Sequence, residues 1–301
     1  MKAYSLCTIS APLPLAPSRA KPTARHSRAL MSRIPARFVA LASENRAAFI
    51  PFVMGGDPSF EASLALLRGL PAAGADLIEI GVCFTDPMAD GPAIQAAGLR
   101  ALEAGQTLAK TLELVRAFRE GDDATPIVLM GYLNPFESYG LDRFAGDAAA
   151  AGVDGVLIVD VPPEEAPALL TALKPAGIDL VRLATPTTDE KRLPAVVQDA
   201  SGFVYYVSVA GVTGGASGET AAIDEAVARV KAASGLPVAV GFGVKTKARA
   251  AEVARLADAV VVGSALVETL AANLDAGAEQ AVDQVLVKAR ALSSAVRAAR
   301  V

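Results

Sequence analysis

The chain has 301 residues, of which 52% are hydrophobic and only 5% aromatic, enough apolar material for the core of one α/β domain of roughly 250 residues plus an appendage. Seven basic residues and no acidic residue precede Glu44, so the rest of the chain carries 21 basic and 32 acidic residues, a net charge of −11. That charge argues against nucleic acid or an anionic membrane surface as a partner, and no apolar run approaches the ~18 residues needed to cross a bilayer.

The chain contains two cysteines, Cys7 and Cys83, and one histidine, His26. Two cysteines cannot build a disulfide framework or a cysteine-rich metal site, and this usage indicates a reducing, cytoplasmic setting. Because His26 lies in the N-terminal stretch, the body of the chain has no histidine for a Ser-His triad, a metal centre or imidazole acid/base catalysis. We therefore expect no metal ion in the site.

Residues 1–30 are rich in Ser, Pro and Arg and contain no acidic residue. This composition resembles an organelle transit peptide, which would place the protein in a plastid, but it also suits an unstructured leader upstream of a start at Met31. We favour the second interpretation. The expected organisation is a disordered extension over residues 1–30 and a single catalytic domain over residues 31–301.

Eight short apolar runs alternate with helix-length segments from Ala48 onward. Their continuity predicts strands buried on both faces, joined by right-handed helical crossovers. The predicted strands are residues 49–53, 77–80, 127–130, 156–159, 180–183, 204–207, 238–240 and 259–262. Eight such β/α units predict a (β/α)8 TIM barrel with extra helices.

A doubly wound open sheet is the structural competitor, since it also alternates strands and helices. No Gly-x-Gly-x-x-Gly follows the first run, and the glycine motifs come late in the chain, which favours the barrel. A faint repeat supports it, because similar segments at 73–76, 151–154 and 256–258 each end in aspartate just before an apolar run.

Local signals also predict individual helices. Leu108, Leu112 and Val115 fall on one helical face before a stop at Gly121. The pair at residues 57–58, Asp-Pro, is interpreted as a helix cap followed by a first-turn proline.

Glycines cluster after the last three predicted strands, where a TIM barrel usually binds phosphate. The segments are Gly-Val-Thr-Gly-Gly at 211–215, Gly-Phe-Gly at 241–243, and Gly263-Ser264, which opens a helix. Glycine lets backbone N–H groups approach an anion closely, and Ser264 adds a hydroxyl donor. Each motif alone is also explained by a sharp turn, but their shared position predicts a phosphate site.

Glu79 interrupts the apolar run 77–80. A carboxylate on a buried strand costs several kcal/mol unless it is paired or used, so Glu79 is either a structural carboxylate or an acid/base group with a raised pKa. The loop after it carries Asp86 and Asp90 in Asp-Pro and Asp-Gly pairs. Spacing alone favours a turn-forming role for both aspartates.

The chain resembles tryptophan synthase α subunits over nearly everything from Met31 to its end. The matching segments, in order, are FIPFVMGGDP at 49–58, IEIG at 78–81, DPMADGPAIQ at 86–95, YLNP at 132–135, DVP at 160–162, GVTG at 211–214 and VGFG at 240–243. The resemblance implies a lyase that cleaves indole-3-glycerol phosphate into indole and glyceraldehyde 3-phosphate by retro-aldol chemistry, in the last steps of tryptophan biosynthesis.

The resemblance also implies roles for particular residues. Glu79 would be the acid/base group and Asp90 the partner of the indole nitrogen. The substrate-binding residues it implies are Phe52 and Tyr205 in the indole pocket, and Thr213, Gly214, Gly243, Gly263 and Ser264 around the phosphate.

The same resemblance implies an αββα heterotetramer with a tryptophan synthase β subunit, with pyridoxal phosphate on the β chain only and no cofactor on this chain. Carbon-carbon cleavage needs an electron sink, and no lysine lies in the predicted strands to form a Schiff base. An indole ring protonated at C3 can be that sink. Cys83 stands where the family usually has proline, which leaves the strength of coupling to the β subunit open.

Two alternative functions are considered. One is another phosphate-binding TIM barrel, an isomerase or decarboxylase of sugar phosphates, which the apolar slot of Phe52 and Tyr205 disfavours. The other is a non-catalytic barrel that acts as an allosteric partner, which the presence of both Glu79 and Asp90 disfavours. A lyase that releases free indole without any β subunit is a variant of the main hypothesis.

Overall fold

The structure is a computed structural model that describes residues 32–207, 215–241 and 243–300. Eight parallel strands form a closed barrel in sequence order, and the last strand pairs with the first. The strands are β1 (Ala48–Met54), β2 (Ile78–Gly81), β3 (Ile127–Gly131), β4 (Gly155–Ile158), β5 (Asp179–Ala184), β6 (Val204–Val207), β7 (Val238–Gly241) and β8 (Ala259–Val262). The predicted TIM barrel is confirmed, and the open sheet is excluded. Residues 1–30, expected to be disordered, lie outside the described residues.

Twelve α-helices connect and surround these strands within the described residues. They are α1 (Ile34–Ser43), α2 (Phe60–Gly69), α3 (Pro92–Glu103), α4 (Leu108–Arg119), α5 (Leu133–Tyr139), α6 (Leu141–Ala151), α7 (Ala166–Ala176), α8 (Leu193–Val197), α9 (Gly215–Ser234), α10 (Lys247–Leu256), α11 (Ser264–Ala272) and α12 (Ala278–Arg297). The predicted helical face of Leu108, Leu112 and Val115 is buried on α4, as expected. In the part of the chain described, none of the helices combines the length and apolarity that a bilayer span requires.

The interpretation of Asp57 as a helix cap is wrong. Helix α2 begins two residues after Pro58, and its cap is Ser59, whose Oγ accepts a hydrogen bond from the Ala62 N–H at 3.2 Å. Asp57 is buried and instead accepts two hydrogen bonds from the Arg100 guanidinium, at 2.8 and 2.7 Å. A bidentate charge-assisted pair is stronger than a single neutral cap, so the carboxylate binds α3 rather than starting α2.

Helix α1 closes the amino-terminal end of the barrel. Its side chains Ile34, Phe38 and Leu41 are buried together with the inward-facing side chains of the strands, and the Phe38 and Phe203 rings lie 5.7 Å apart. The side chains of α1 therefore fill the amino-terminal end of the barrel interior. The carboxyl ends of the strands, where TIM barrels carry their active sites, are left for function.

Candidate active site

Glu79 lies in the middle of β2, in register with Phe52 on β1 and Val128 on β3. Its neighbours Ile78 and Ile80 pack between the strands and the surrounding helices, so the alternation of a strand directs Glu79 into the barrel. The residue is 1% exposed, and its Oε1 atom has no hydrogen-bond partner within the described residues. Burial raises the pKa of Glu79 to about 8, so the carboxyl group is mostly protonated at neutral pH.

Tyr205 on β6 approaches Glu79 across the barrel interior. It is 9% exposed, and burial, with a smaller contribution from the charge of Glu79, raises the pKa of its hydroxyl well above its ordinary value. Gly241 on β7 leaves room for the phenol, because a Cβ atom there would collide with the Tyr205 hydroxyl. The phenol and the carboxyl group therefore belong to one buried region.

Phe52 connects this region to the last loops of the barrel. Phe52 is in register with Glu79 on the neighbouring strand. The tip of its ring lies so close to Gly81 that a Cβ atom on that glycine would come within 2.7 Å of Phe52 Cζ. On the other side, a Cβ atom on Gly263 would lie 3.4 Å from the Phe52 side chain. Phe52 thus lies between the carboxyl group of Glu79 and the turn that opens α11.

A narrow cavity of about 10 Å³ lies at the carboxyl ends of the first four strands. Its polar side chains are Asp90 and Tyr132, and the other residues that line it are Phe52, Met54, Gly81, Val82, Met130, Gly131 and Val159. Such a lining suits an apolar ring with one polar contact. The volume is that of roughly one water molecule, so the residues that line the cavity pack closely around it.

Asp90 is held over this cavity by Tyr132, which directly follows β3. The Tyr132 hydroxyl donates to Asp90 Oδ1 at 2.9 Å and accepts from the Ala89 N–H at 2.9 Å. Partial burial raises the pKa of Asp90, while the Tyr132 hydrogen bond acts in the opposite direction. No role is predicted for Tyr132 from the sequence. Its position at the end of a strand, within a motif that resembles the family, was the available signal.

The predicted phosphate residues that the structure describes lie at the same end of the barrel. Gly263 caps α11 and Ser264 is its first residue, so the free N–H groups of a helix start are available to an anion. Gly243 follows β7 and is exposed, with φ of +73°, a conformation that favours glycine. Thr213 and Gly214 lie outside the described residues, and α9 begins directly after them.

Cys83 is buried in the apolar cluster beneath the loop that carries Asp90, with Phe52, Met54 and Val267 among its neighbours. Burial raises the pKa of its thiol, so Cys83 is a packing residue in the described structure. Its effect on coupling to a β subunit stays a prediction.

Comparisons with known proteins give a consistent result. A family model described as tryptophan synthase alpha chain matches residues 38–297. Curated tryptophan synthase alpha chains from Phenylobacterium zucineum and a Caulobacter species are each 60% identical to this chain, over 269 and 268 residues, covering 89% of it and 97% of each relative.

Solved structures agree. Tryptophan synthase subunit alpha from Legionella pneumophila superposes with a TM-score of 0.82 at 38% identity, covering 88% of this chain and 98% of that chain. A Mycobacterium tuberculosis tryptophan synthase structure gives a TM-score of 0.79 at 37% identity, covering 89% of this chain and 99% of that chain.

Proposed function

The chain belongs to the tryptophan synthase alpha chain family, and on that premise we propose that Glu79 and Asp90 carry the reaction. The protein is a carbon-carbon lyase of tryptophan biosynthesis that cleaves indole-3-glycerol phosphate into indole and glyceraldehyde 3-phosphate. Membership of this family sets aside a sugar-phosphate isomerase or decarboxylase. The observation that carries the proposal is the buried Glu79 carboxyl group, directed into the barrel beside Phe52 with Oε1 unpartnered among the described residues.

Glu79 moves the protons. With its pKa raised to about 8, the carboxyl group holds a proton that it donates to C3 of the indole ring, which converts the ring into an electron-accepting indolenine. The bond between C3 and the glycerol chain then breaks, and its electron pair restores the aromatic ring. The glycerol hydroxyl loses its proton to the Glu79 carboxylate as the aldehyde forms, so Glu79 returns to its starting state.

Asp90 stabilises the positive charge that develops on the ring nitrogen when C3 is protonated. Its carboxylate oxygen lines the same cavity as Phe52, and the Tyr132 hydrogen bond fixes its direction. A carboxylate held in place before the reaction stabilises the transition state without a cost of reorganisation.

The phosphate tail is held by the turn after β7 and the start of α11. Gly243, Gly263 and Ser264 supply backbone N–H groups and a hydroxyl at that end, and we extend the same role to Thr213 and Gly214. Phe52 and Tyr205 pack against the indole ring. Anchoring both ends of the substrate sets the geometry for proton transfer.

We also propose an αββα assembly with a tryptophan synthase β subunit, in which pyridoxal phosphate belongs to the β chain and this chain uses its own residues alone. The solved relative from Mycobacterium tuberculosis is described as tryptophan synthase, which supports the partner. A cytoplasmic location and a single catalytic domain over residues 31–301 complete the proposal.

Substitution of Glu79 tests the central step. Glu79→Gln keeps the shape of the side chain but removes the ionisable proton, so indole release should fall at least about a thousandfold, within the range expected of general acid-base catalysis. Binding of glycerol 3-phosphate, measured by calorimetry, should persist. Turnover like that of the parent, in a variant with an unchanged circular dichroism spectrum, would refute the assignment.

Substitution of Asp90 tests the second carboxylate separately. Asp90→Asn should fold normally and release indole roughly a hundredfold more slowly, because a neutral amide stabilises the ring cation less well. An unchanged rate would remove Asp90 from the mechanism while leaving Glu79 in place.

A further inference from the structure

A second, larger cavity of about 310 Å³ lies at the carboxyl ends of β4 and β5. Among the described residues only Val159 lines both this cavity and the narrow one beside Asp90. Its walls combine apolar side chains, among them Ile158, Val161 and Val196, with the charged residues Arg182, Arg192 and Asp160. None of the roles proposed above uses these charged residues.

Arg182 is an uncompensated buried cation. It lies on β5, is 5% exposed, and donates one hydrogen bond, from Nη1 to the carbonyl oxygen of Val161 at 3.1 Å. Within the residues described, no carboxylate forms an ion pair with it. Burial lowers the pKa of Arg182, as expected for a charge without a close counter-ion.

The two carboxylates that act on Arg182 through space are already paired elsewhere. Asp199 pairs with Lys174 at 3.7 Å, and Glu164 binds both Nη atoms of Arg192. A buried arginine is normally matched by a carboxylate, because taking the charge out of water is costly. The structure therefore leaves a guanidinium at the cavity wall with donors to spare.

The surrounding charges define the ligand that would fit. Arg192 and Glu164 cancel each other, and Asp160 carries a negative charge beside the cavity while accepting a hydrogen bond from the Leu133 N–H at 2.8 Å. Arg182 and these three groups together have no net charge, so the site accepts the single charge of a monoanion on Arg182 more readily than the double charge of a phosphate. A carboxylate matches the planar fork of a guanidinium, and the side chains of Val161 and Val196 suit an apolar body.

We propose that this cavity is a binding site for a small monocarboxylate with an apolar body, whose carboxylate pairs with Arg182 and whose body packs against Val161 and Val196. The site is separate from the lyase reaction, so it stands or falls independently of the roles assigned to Glu79 and Asp90.

Benzoate is a suitable probe, and benzamide is its neutral counterpart of the same shape. Calorimetry should detect saturable benzoate binding, and the methyl resonances of Val161 and Val196 should shift with the same affinity. Benzamide should bind at least about tenfold more weakly, since it lacks the charge. Equal binding of the two probes, or no saturable benzoate binding, would overturn the proposal.

Three variants test the charge of Arg182 and the location of the binding site separately. Arg182→Met should weaken benzoate binding at least about tenfold without loss of fold, because replacing an unpaired buried charge by an apolar side chain is often neutral or stabilising. Arg143→Met, which removes an exposed and paired arginine that does not line the cavity, is the matched control and should bind within about twofold of the parent. Unchanged binding by Arg182→Met refutes the site.

Val196→Phe keeps Arg182 and fills the cavity, so it tests the location even if Arg182→Met fails to fold. It should block benzoate while the circular dichroism spectrum stays that of the parent. Benzoate affinity equal to that of the parent in this variant would place the probe elsewhere and refute the site.

Discussion

Glu79 combines burial with chemical use, and the combination sets a pH dependence. The pKa of this carboxyl group is raised from 4.5 to about 8 by burial, so the proton-donating form dominates below that pH and is lost above it. We expect kcat/KM for indole release to fall as pH rises through about 8, because this parameter reports ionisation of the free enzyme. Initial rates from pH 6 to 9.5, with circular dichroism at each pH as a control for folding, measure it. A profile that stays flat through pH 8 would contradict a protonated Glu79 as the acid.

Tyr132 is expected to position Asp90. Tyr132→Phe keeps the buried ring, which packs 5.5 Å from that of Phe84, but removes the hydroxyl that bonds Asp90. Loss of a hydrogen bond to a charged group costs about 1.5–3 kcal/mol, so kcat should fall roughly tenfold or more while KM changes little. Steady-state indole release measures both parameters.

A matched control for this substitution exists on the surface. The Tyr139 hydroxyl also donates to an aspartate, Asp147, at 2.7 Å, yet Tyr139 is not among the residues that line the cavity of Asp90. Tyr139→Phe should leave kcat unchanged. If Tyr132→Phe and Tyr139→Phe behave alike, the hydroxyl of Tyr132 has no positioning role.

Glu79, Asp90 and Tyr132 differ in how far the sequence alone identifies them as site residues. Glu79 stood out because a carboxylate in an apolar run needs an explanation, whereas Asp90 could be selected only through resemblance, since aspartate in a turn is ordinary. Tyr132 was missed because a tyrosine after a strand acquires its role only when the loop that follows the preceding strand folds over it. Thr213 and Gly214 lie outside the described residues, so their roles stay predictions.

At the scale of elements, the strands were predictable and one helix start was not. Each predicted run coincides with a strand to within one residue at either end, because a buried parallel strand is a continuous apolar run ended by polar or glycine residues. The prediction of a helix cap at Asp57 failed because its carboxylate binds a residue distant in the sequence. Arg100 on α3 takes the carboxylate, and no local pattern around residue 57 reports that pairing.

The repeated aspartates before β2, β4 and β8 perform one shared task. Each accepts a hydrogen bond from the backbone N–H at or near the start of the preceding strand, at 2.8 to 2.9 Å. The pairs are Asp76 with Phe49, Asp154 with Ile127, and Asp258 with Val238. The repeat seen in the sequence is therefore a device that fixes neighbouring strands at the amino-terminal end of the barrel.

Asp154 should be more costly to remove than Asp258. It is 1% exposed and binds Arg33 at 2.9 Å and Arg119 at 2.8 Å besides the Ile127 N–H. Asp154→Ala removes a charge-assisted hydrogen bond from both arginines and leaves the largely buried Arg119 with Asp122, at 3.9 Å, as its remaining carboxylate partner among the described residues, so we expect a loss of about 3–5 kcal/mol in the free energy of unfolding, measured by urea denaturation. Asp258→Ala is the control, because its partner Lys231 is half exposed, and it should cost much less. Equal losses would contradict the argument from burial.

At the scale of the molecule, stability and chemistry occupy opposite ends of the barrel. Helix α1 and the aspartate pairs secure the amino-terminal end, while Glu79, Asp90 and the glycine turns face the other. This division lets the loops at the carboxyl ends vary in function without loss of the core. Assembly is the property hardest to predict from the sequence, since a surface that binds a partner has no hydrophobic periodicity. Such a surface is recognised only from the side chains that the fold leaves exposed.

One such exposed feature lies beside the active site. Met88 is 82% exposed on the loop that carries Asp90, and a large apolar side chain in water next to the proposed catalytic carboxylate is suited to burial by a partner. Met88→Glu should weaken association with the β subunit roughly tenfold, since burying a methionine contributes about 1.5–3 kcal/mol, and should leave indole release without the β subunit within about twofold of the parent. Titration of indole release with purified β subunit measures the effect. Val39→Glu, 71% exposed on α1 at the closed end of the barrel, is the control and should associate normally. If Met88→Glu associates as tightly as Val39→Glu, this loop does not contact the β subunit, and the coupling of the two chains must run through another part of the barrel mouth.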